Sequence, residues 1–267
     1  MIDFYLRSSA LIIVPEVLMF FSWPDLLLVA AAFFGGALNS IAGGGTFLTF
    51  PALIFYGIPP ITANASSTVA LFPGSFAATW AYRNKFGVVT QLKVSHAVIV
   101  SLVGGFLGAE LLLKTPESSF KTLIPYLILF ATLLFTFGRN ITDFLQRRFR
   151  IPPWIMLIGA FLTAIYGGYF GGGIGILLLA FMALIGMKDL HAMNAVKTLL
   201  AGCLNAVAVV LFISVRAVDW RVVLPMVVGA MAGGFVGASV AQRINQVVLK
   251  HFISVVGFGL TVYFFVR

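Results

Sequence analysis

Ten apolar runs, separated by little more than turns, fill this chain from about residue 25 to residue 265. None alternates apolar and polar residues over about ten positions, the signature of a transmembrane barrel strand. The runs are unbroken and rich in small residues, so the chain reads as an all-α, polytopic helical membrane protein. Only 9% of its 267 residues are charged, against roughly 25% in a soluble domain. At about 20 residues per span, this length holds roughly eight to ten helical segments and no separate soluble domain.

The runs fall into two series. The first lies near 25–42, 46–57, 61–82, 94–113 and 119–138; the second near 153–170, 174–187, 190–215, 220–241 and 246–265. Their residues correspond. Gly43-Gly44-Gly45 recurs 128 positions on as Gly171-Gly172-Gly173, and Asn64-Ala65 with Thr68 recurs 130 on as Asn194-Ala195 with Thr198. Gly104-Gly105-Phe106 with Gly108-Ala109 recurs 129 on as Gly233-Gly234-Phe235 with Gly237-Ala238. A near-constant spacing across three motifs in the same order indicates internal duplication. The expected organisation is an N-terminal segment 1–24, a first transmembrane repeat 25–138, a cytoplasmic basic loop 139–152 and a second transmembrane repeat 153–267. Each repeat has a glycine-broken helix pair followed by three spans.

The segment 1–24 carries Arg7, Pro15 and Glu16 and no small-residue cleavage site, which suits an interfacial helix or partial span better than a signal peptide. The net charge of +9 resides mostly in the connections. This is the positive-inside pattern rather than a nucleic-acid-binding face. Arg139, Arg147, Arg148 and Arg150 make their connection the most basic one and place it in the cytoplasm, with Arg83, Lys85 and Lys93 on the same side. Parallel and inverted repeats both satisfy the distribution of cations. Inversion is favoured by analogy with duplicated secondary transporters.

Two features point to chemistry. The first is the pair of breaks, Asn39-Ser40-Ile41-Ala42-Gly43-Gly44-Gly45-Thr46 and Tyr166-Gly167-Gly168-Tyr169-Phe170-Gly171-Gly172-Gly173. Each glycine costs a helix roughly 1 kcal/mol relative to alanine, so three in succession interrupt it. Broken backbone is tolerated in a bilayer where protein or a water-filled cavity satisfies it. Half-helices starting near Thr46 and Ile174 then aim their N–H groups and positive dipole ends at the midplane, an anion site. Paired breaks in two halves are a pointer to a transporter's binding site, set against close packing through small residues.

The second is a polar face. Asn194, Lys197 and Thr198, continued by Ala201 and Asn205, share one side of a helix, and in the first half Asn64, Ser67 and Thr68 occupy the matching positions. An ionisable group within the bilayer costs at least about 2.5–3.5 kcal/mol and is a functional candidate by default; the alternative for Lys197 is snorkelling to the interface. Glu110 stands four residues before Lys114, the spacing of a surface ion pair, with proton coupling as its sharper alternative. Glycines at four-residue intervals, Gly104 and Gly108, then Gly229, Gly233 and Gly237, read as close helix contacts. His96, His191 and His251 are scattered, Cys203 is alone, and no HExxH or CxxC occurs, so neither a metal nor a cofactor is expected. The glycine runs lack the GK[ST] ending of a phosphate loop.

The paired glycine motifs, Phe50-Pro51-Ala52-Leu53 with Gly57-Ile58-Pro59-Pro60 and Ala63, the series Ala195, Lys197-Thr198-Leu199-Leu200 and Val218-Asp219-Trp220, and Gly233-Gly234-Phe235-Val236-Gly237-Ala238 together resemble the TauE/SafE family of sulfite and sulfonate exporters, over about residues 26–265. The resemblance implies a multi-pass inner-membrane permease of bacterial type that moves sulfite or small organosulfonates such as sulfoacetate outward. The expected machinery is an alternating-access secondary transporter and not an enzyme. The anion is expected at the midplane between the repeats, held by Asn39, Gly43, Gly44, Gly45, Thr46, Asn64, Ser67, Thr68, Tyr166, Gly171, Gly172, Gly173, Asn194, Lys197, Thr198 and Asn205. The expected partners are the small anion, a coupling proton or cation and the bilayer. An anion channel and a non-transporting membrane subunit are the alternatives.

Overall fold

A computed structural model describes residues 23–41, 43–84, 94–148, 153–184, 187, 189–240 and 246–266. The segment 1–24 thus lies almost wholly outside the described residues, as do Lys85, Lys93 and Arg150. Ten helices follow in order: α1 (Trp23–Ile41), α2 (Thr46–Phe55), α3 (Pro60–Ala81), α4 (Val94–Lys114), α5 (Glu117–Arg148), α6 (Pro153–Tyr169), α7 (Ile174–Leu184), α8 (Leu190–Ser214), α9 (Trp220–Val240) and α10 (Gln246–Val266). No strand occurs among the described residues. The protein is an all-helical bundle, as its apolar runs require.

Among the described residues four helices meet the length and apolarity of a membrane span, over His96–Lys114, Glu117–Gly138, His191–Ser214 and Trp220–Ser239. Polarity is inverted relative to a soluble protein. Leu27, Phe34, Leu162, Val210 and Val228 are exposed, whereas Asn64, Ser66, Ser67, Asn194 and Lys197 are buried. A bilayer accepts that outer surface, and burial keeps the polar groups out of hydrocarbon.

At about 1.5 Å per residue, the 10 and 11 residues of α2 and α7 are too short for a core of about 30 Å. Both double back on the helix before them. The Tyr56 hydroxyl, just beyond α2, donates to Asp25 Oδ1 at 2.7 Å in the first turn of α1. Phe181 near the end of α7 packs against Gly159 near the start of α6. Between the hairpins, α3 and α8 run antiparallel: Phe76 meets Gly202, and the Asp219 N–H beyond α8 donates to Ser66 Oγ at 3.0 Å near the start of α3.

The tightest helix pairs join one half of the chain to the other. Gly229, Gly233 and Gly237 of α9 lie against the backbone of Val29, Phe33 and Ala37 of α1; Gly104 and Gly108 of α4 lie against Phe161 and Ile165 of α6. A Cβ at Gly233 would fall onto the Phe33 carbonyl, and one at Gly108 onto that of Ile165. Only glycine permits such approach, as expected of small-residue stripes in membranes. α3 likewise packs on α9, α8 on α4, and α5 on α10.

One boundary differs from the sequence reading. The stretch Arg139–Arg148, expected to begin a connection, continues α5, which is 32 residues long. No glycine or proline lies between Gly138 and Arg148, so the helix ends only shortly before the prolines at 152 and 153, which bar its continuation.

Candidate functional site

Each break is built by a left-handed glycine. Gly43 (φ +80°) ends α1 and Gly171 (φ +75°) ends α6, conformations in which other residues are strained. The Gly43 N–H donates to Leu38 O at 2.9 Å and the Gly171 N–H to Tyr166 O at 3.4 Å, the same five-residue closure in both. Gly45 N–H is met by Asn39 Oδ1 at 3.3 Å, so a side chain of α1 satisfies an amide at the start of α2. In the second break the Tyr166 hydroxyl donates to Gly172 O at 2.8 Å, and Gly173 (φ +75°) packs on Ala131.

The two breaks touch. A Cβ on Gly43 would coincide with the Cα of Gly175 in the first turn of α7. Beside this contact is a cavity lined by Asn39, Ser40 and Gly43 of the first break, Ser75 and Ala78 of α3, Ile174 and Gly175 of α7, and Lys197, Thr198 and Ala201 of α8. Its volume is about 10 Å³, the room of about one water molecule.

Lys197 dominates the cavity electrostatically. It is 1% exposed, which excludes snorkelling, and no carboxylate lines the cavity. Its Nζ donates to Asn194 Oδ1 at 2.8 Å and to Ser40 O at 3.0 Å. An ammonium has three donors; among the described residues these two are engaged. Ser40 O belongs to the last turn of α1, the negative end of that helix dipole, and Lys197 is therefore compensated by a helix end rather than by an acid. Across the cavity lies the positive N-terminal end of α7.

The residues singled out in the sequence divide among three places. Asn39, Gly43, Lys197 and Thr198 line the cavity, and Asn194 joins them through Lys197. Asn64, Ser67 and Thr46 lie elsewhere in the core. Asn64 Nδ2 donates to Tyr169 O at 3.0 Å at the end of α6, Ser67 Oγ shares a 2.6 Å bond with Thr49 Oγ1, and Thr46 Oγ1 faces Gly171. Thr68 and Thr198 both bond back to the carbonyl four residues before, at 2.9 and 3.0 Å. Gly44, Gly45, Gly172, Gly173 and Tyr166 shape the turns, and Asn205 is buried outside the cavity lining.

The lining residues not singled out are Ser40, Ser75, Ala78, Ile174, Gly175 and Ala201. Ser75 sits seven residues, two turns, beyond Thr68, a spacing that carries the signal. Ser40 acts through its carbonyl and Gly175 through its lack of a side chain, for which no residue-type signal exists. Glu110 and Lys114 form an exposed i,i+4 ion pair at 2.6 Å. Among the described residues no group of His, Cys, Asp and Glu is disposed to hold a metal.

This architecture has relatives. A probable membrane transporter protein, ORF9, from a Sinorhizobium species is 31% identical over 237 residues, 88% of this chain and 90% of its own length. Another from Haemophilus influenzae is 28% identical over 242 residues, 89% and 93% of the two chains. The probable membrane transporter protein YfcA of Escherichia coli is 29% identical over 233 residues, 86% of this chain and 85% of its own. The profile described as sulfite exporter TauE/SafE matches residues 28–264. Inside-out polarity, paired helix breaks and this match lead to one conclusion: the chain is an integral membrane protein, a membrane transporter that belongs to the TauE/SafE sulfite exporter family.

Proposed function

We propose that the protein is a secondary transporter that carries small oxyanions, sulfite or organosulfonates such as sulfoacetate, outward across the bacterial inner membrane, with the anion bound beside Lys197. The observation that carries this reading is a buried lysine amine, with no carboxylate partner among the described residues, at the point where two helix breaks meet. An anion there gains a full positive charge and the N-terminal dipole of α7 in a low-dielectric setting. Asn39, Thr198 and Ser75 supply neutral polar groups around it.

The chain is read as two inverted repeats, 25–138 and 153–267, with the basic end of α5 in the cytoplasm. Supporting this are hairpins that enter from opposite ends of the bundle, the antiparallel course of α3 and α8, and glycine contacts that recur at the repeat spacing. Two reciprocal bonds cross between the halves: Lys197 of α8 to the carbonyl end of α1, and Asn64 of α3 to that of α6. Exchange of these bonds for bonds to the anion lets one repeat rock against the other. A cavity of about 10 Å³ admits no oxyanion until the helices part, which favours a carrier over an open channel.

The test is thermal stability of the purified protein against sulfite, sulfoacetate, sulfate, a carboxylate and chloride. A ligand at 100 times its Kd stabilises by about 2.7 kcal/mol. Selective stabilisation by a sulfur oxyanion, abolished in Lys197→Ala, is the expected result. Stabilisation by none of these anions would overturn the reading. Proteoliposome flux then separates carrier from channel, since only a carrier accumulates substrate against its gradient.

A further inference from the structure

The two carbonyl ends produced by the breaks have unequal partners. At the end of α1, Ser40 O receives an ammonium, whose other bond goes to Asn194 Oδ1. At the end of α6, Tyr169 O receives the neutral amide of Asn64. That bond fixes the orientation of the amide: Nδ2 faces the carbonyl and Oδ1 faces away. Asn64 Oδ1 is buried and has no hydrogen-bond partner among the described residues, while its counterpart 130 residues on, Asn194 Oδ1, is satisfied by Lys197.

An orphaned buried acceptor is destabilising, because it has given up water for nothing. Its cause lies one helical turn away, where Ser67 stands at the position matching Lys197. Ser67 Oγ is paired with Thr49 Oγ1 at 2.6 Å, and Thr49 Oγ1 also reaches Gly45 O at 3.3 Å. With Thr49 donating to the carbonyl, Ser67 donates to Thr49, and the lone pairs of Ser67 Oγ join Asn64 Oδ1 as unused acceptors. Oxygen acceptors are in surplus here and donors are not, so the site calls for a cation. All its ligands are neutral, whereas divalent ions draw on carboxylates, and the position it mirrors holds a single positive charge.

We propose that Asn64 Oδ1 and Ser67 Oγ bind a small monovalent cation of sodium type, the first-half counterpart of the place filled by the Lys197 amine in the second. Neutral side-chain oxygens suit such an ion. The inference rests on the two-repeat transporter reading and names its coupling ion.

The experiment measures the melting temperature of the purified protein, free of substrate anion, in sodium, lithium, potassium and choline chloride at equal ionic strength. Sodium and lithium are expected to raise it by several degrees over choline, and Asn64→Ala to abolish the rise. Ser67→Lys tethers an ammonium at the site, and its melting temperature is expected to be independent of sodium. Should Asn64→Ala fail to fold, Thr49→Val, which removes the hydroxyl that holds Ser67, is expected to shift the sodium midpoint roughly tenfold. Equal melting temperatures in sodium, lithium and choline overturn the proposal, as does a sodium response that survives in Asn64→Ala or an unmoved midpoint in Thr49→Val. The anion panel repeated in choline keeps the two readings apart. Anion stabilisation equal in choline and sodium leaves the transporter and removes the cation site; sodium stabilisation without any anion response does the reverse.

Discussion

The polar faces of α3 and α8 share one scaffold and carry different charges. Both place an asparagine, then a threonine one turn on that bonds back to the asparagine carbonyl, and both reach across to the end of a broken helix in the other half. The third position separates them. Lys197 brings an ionisable amine to the cavity, whereas Ser67 turns aside to Thr49. The breaks differ in a similar way. Gly43 is pressed against Gly175, but a Cβ at Gly171 meets only Gly167 O at 3.4 Å and Thr46 Oγ1 at 3.7 Å. Symmetry in the backbone therefore coexists with asymmetry in chemistry, and of the two polar faces only that of α8 carries an ionisable group.

The largest test of that contrast is the pair Gly43→Ala and Gly171→Ala. Both force an L-residue into the left-handed region, worth about 1–2 kcal/mol; Gly43→Ala adds overpacking of about 1–3 kcal/mol against Gly175. Gly43→Ala is expected to lower the midpoint of unfolding well below that of Gly171→Ala, and equal midpoints would erase the distinction. Next comes Lys197→Met, which keeps the bulk and removes the charge. Loss of a charged hydrogen bond of about 1.5–3 kcal/mol predicts anion binding weaker by roughly 10- to 150-fold by titration, and the ligand-free protein is expected to melt lower as well because Asn194 Oδ1 and Ser40 O lose their donor.

Thr49→Val comes next, about 2 kcal/mol for two buried hydrogen bonds, and in choline is expected to leave anion affinity intact because Thr49 does not line the cavity. Glu110→Gln is smallest. Its ion pair with Lys114 is 36% and 71% exposed at the two side chains, so stability should fall by under about 0.5 kcal/mol, with the anion response unaltered. A lost anion response there would bring Glu110 back as a coupling group.

Much of the fold was legible because lipid enforces it. A segment that must satisfy its backbone internally announces itself as an apolar run, and the ten runs coincide with ten helices to within a few residues except at the end of α5. Charge misleads there: Arg139, Arg147 and Arg148 read as a connection, although nothing in 139–148 stops a helix. The candidate site is legible where it depends on side chains that are rare in membranes, Lys197 and Asn194 above all. It is illegible where backbone does the recognition. No residue type distinguishes the Ser40 carbonyl that receives Lys197, nor the pairing of Gly43 with Gly175. Periodicity along α3 likewise groups Asn64 and Ser67 with the cavity, but Ser75 and Ala78, on the same face eleven residues and about 16 Å further along the axis, are the ones that line it.

The glycine grooves that join α1 to α9 and α4 to α6 also bear on how the chain is made. α1 leaves the ribosome some 180 residues before α9 begins. At about 5–20 residues per second, the small-residue face of α1 waits roughly 10–40 s for its mate. Neither half can seal its own hairpin, because each hairpin is clasped by a helix of the other, so the nascent protein cannot mature half by half. The α4–α6 contact can form once residue 169 is made and the α1–α9 contact only once residue 240 is, so whatever escorts the first half through insertion must shield the groove of α1 until the second half arrives.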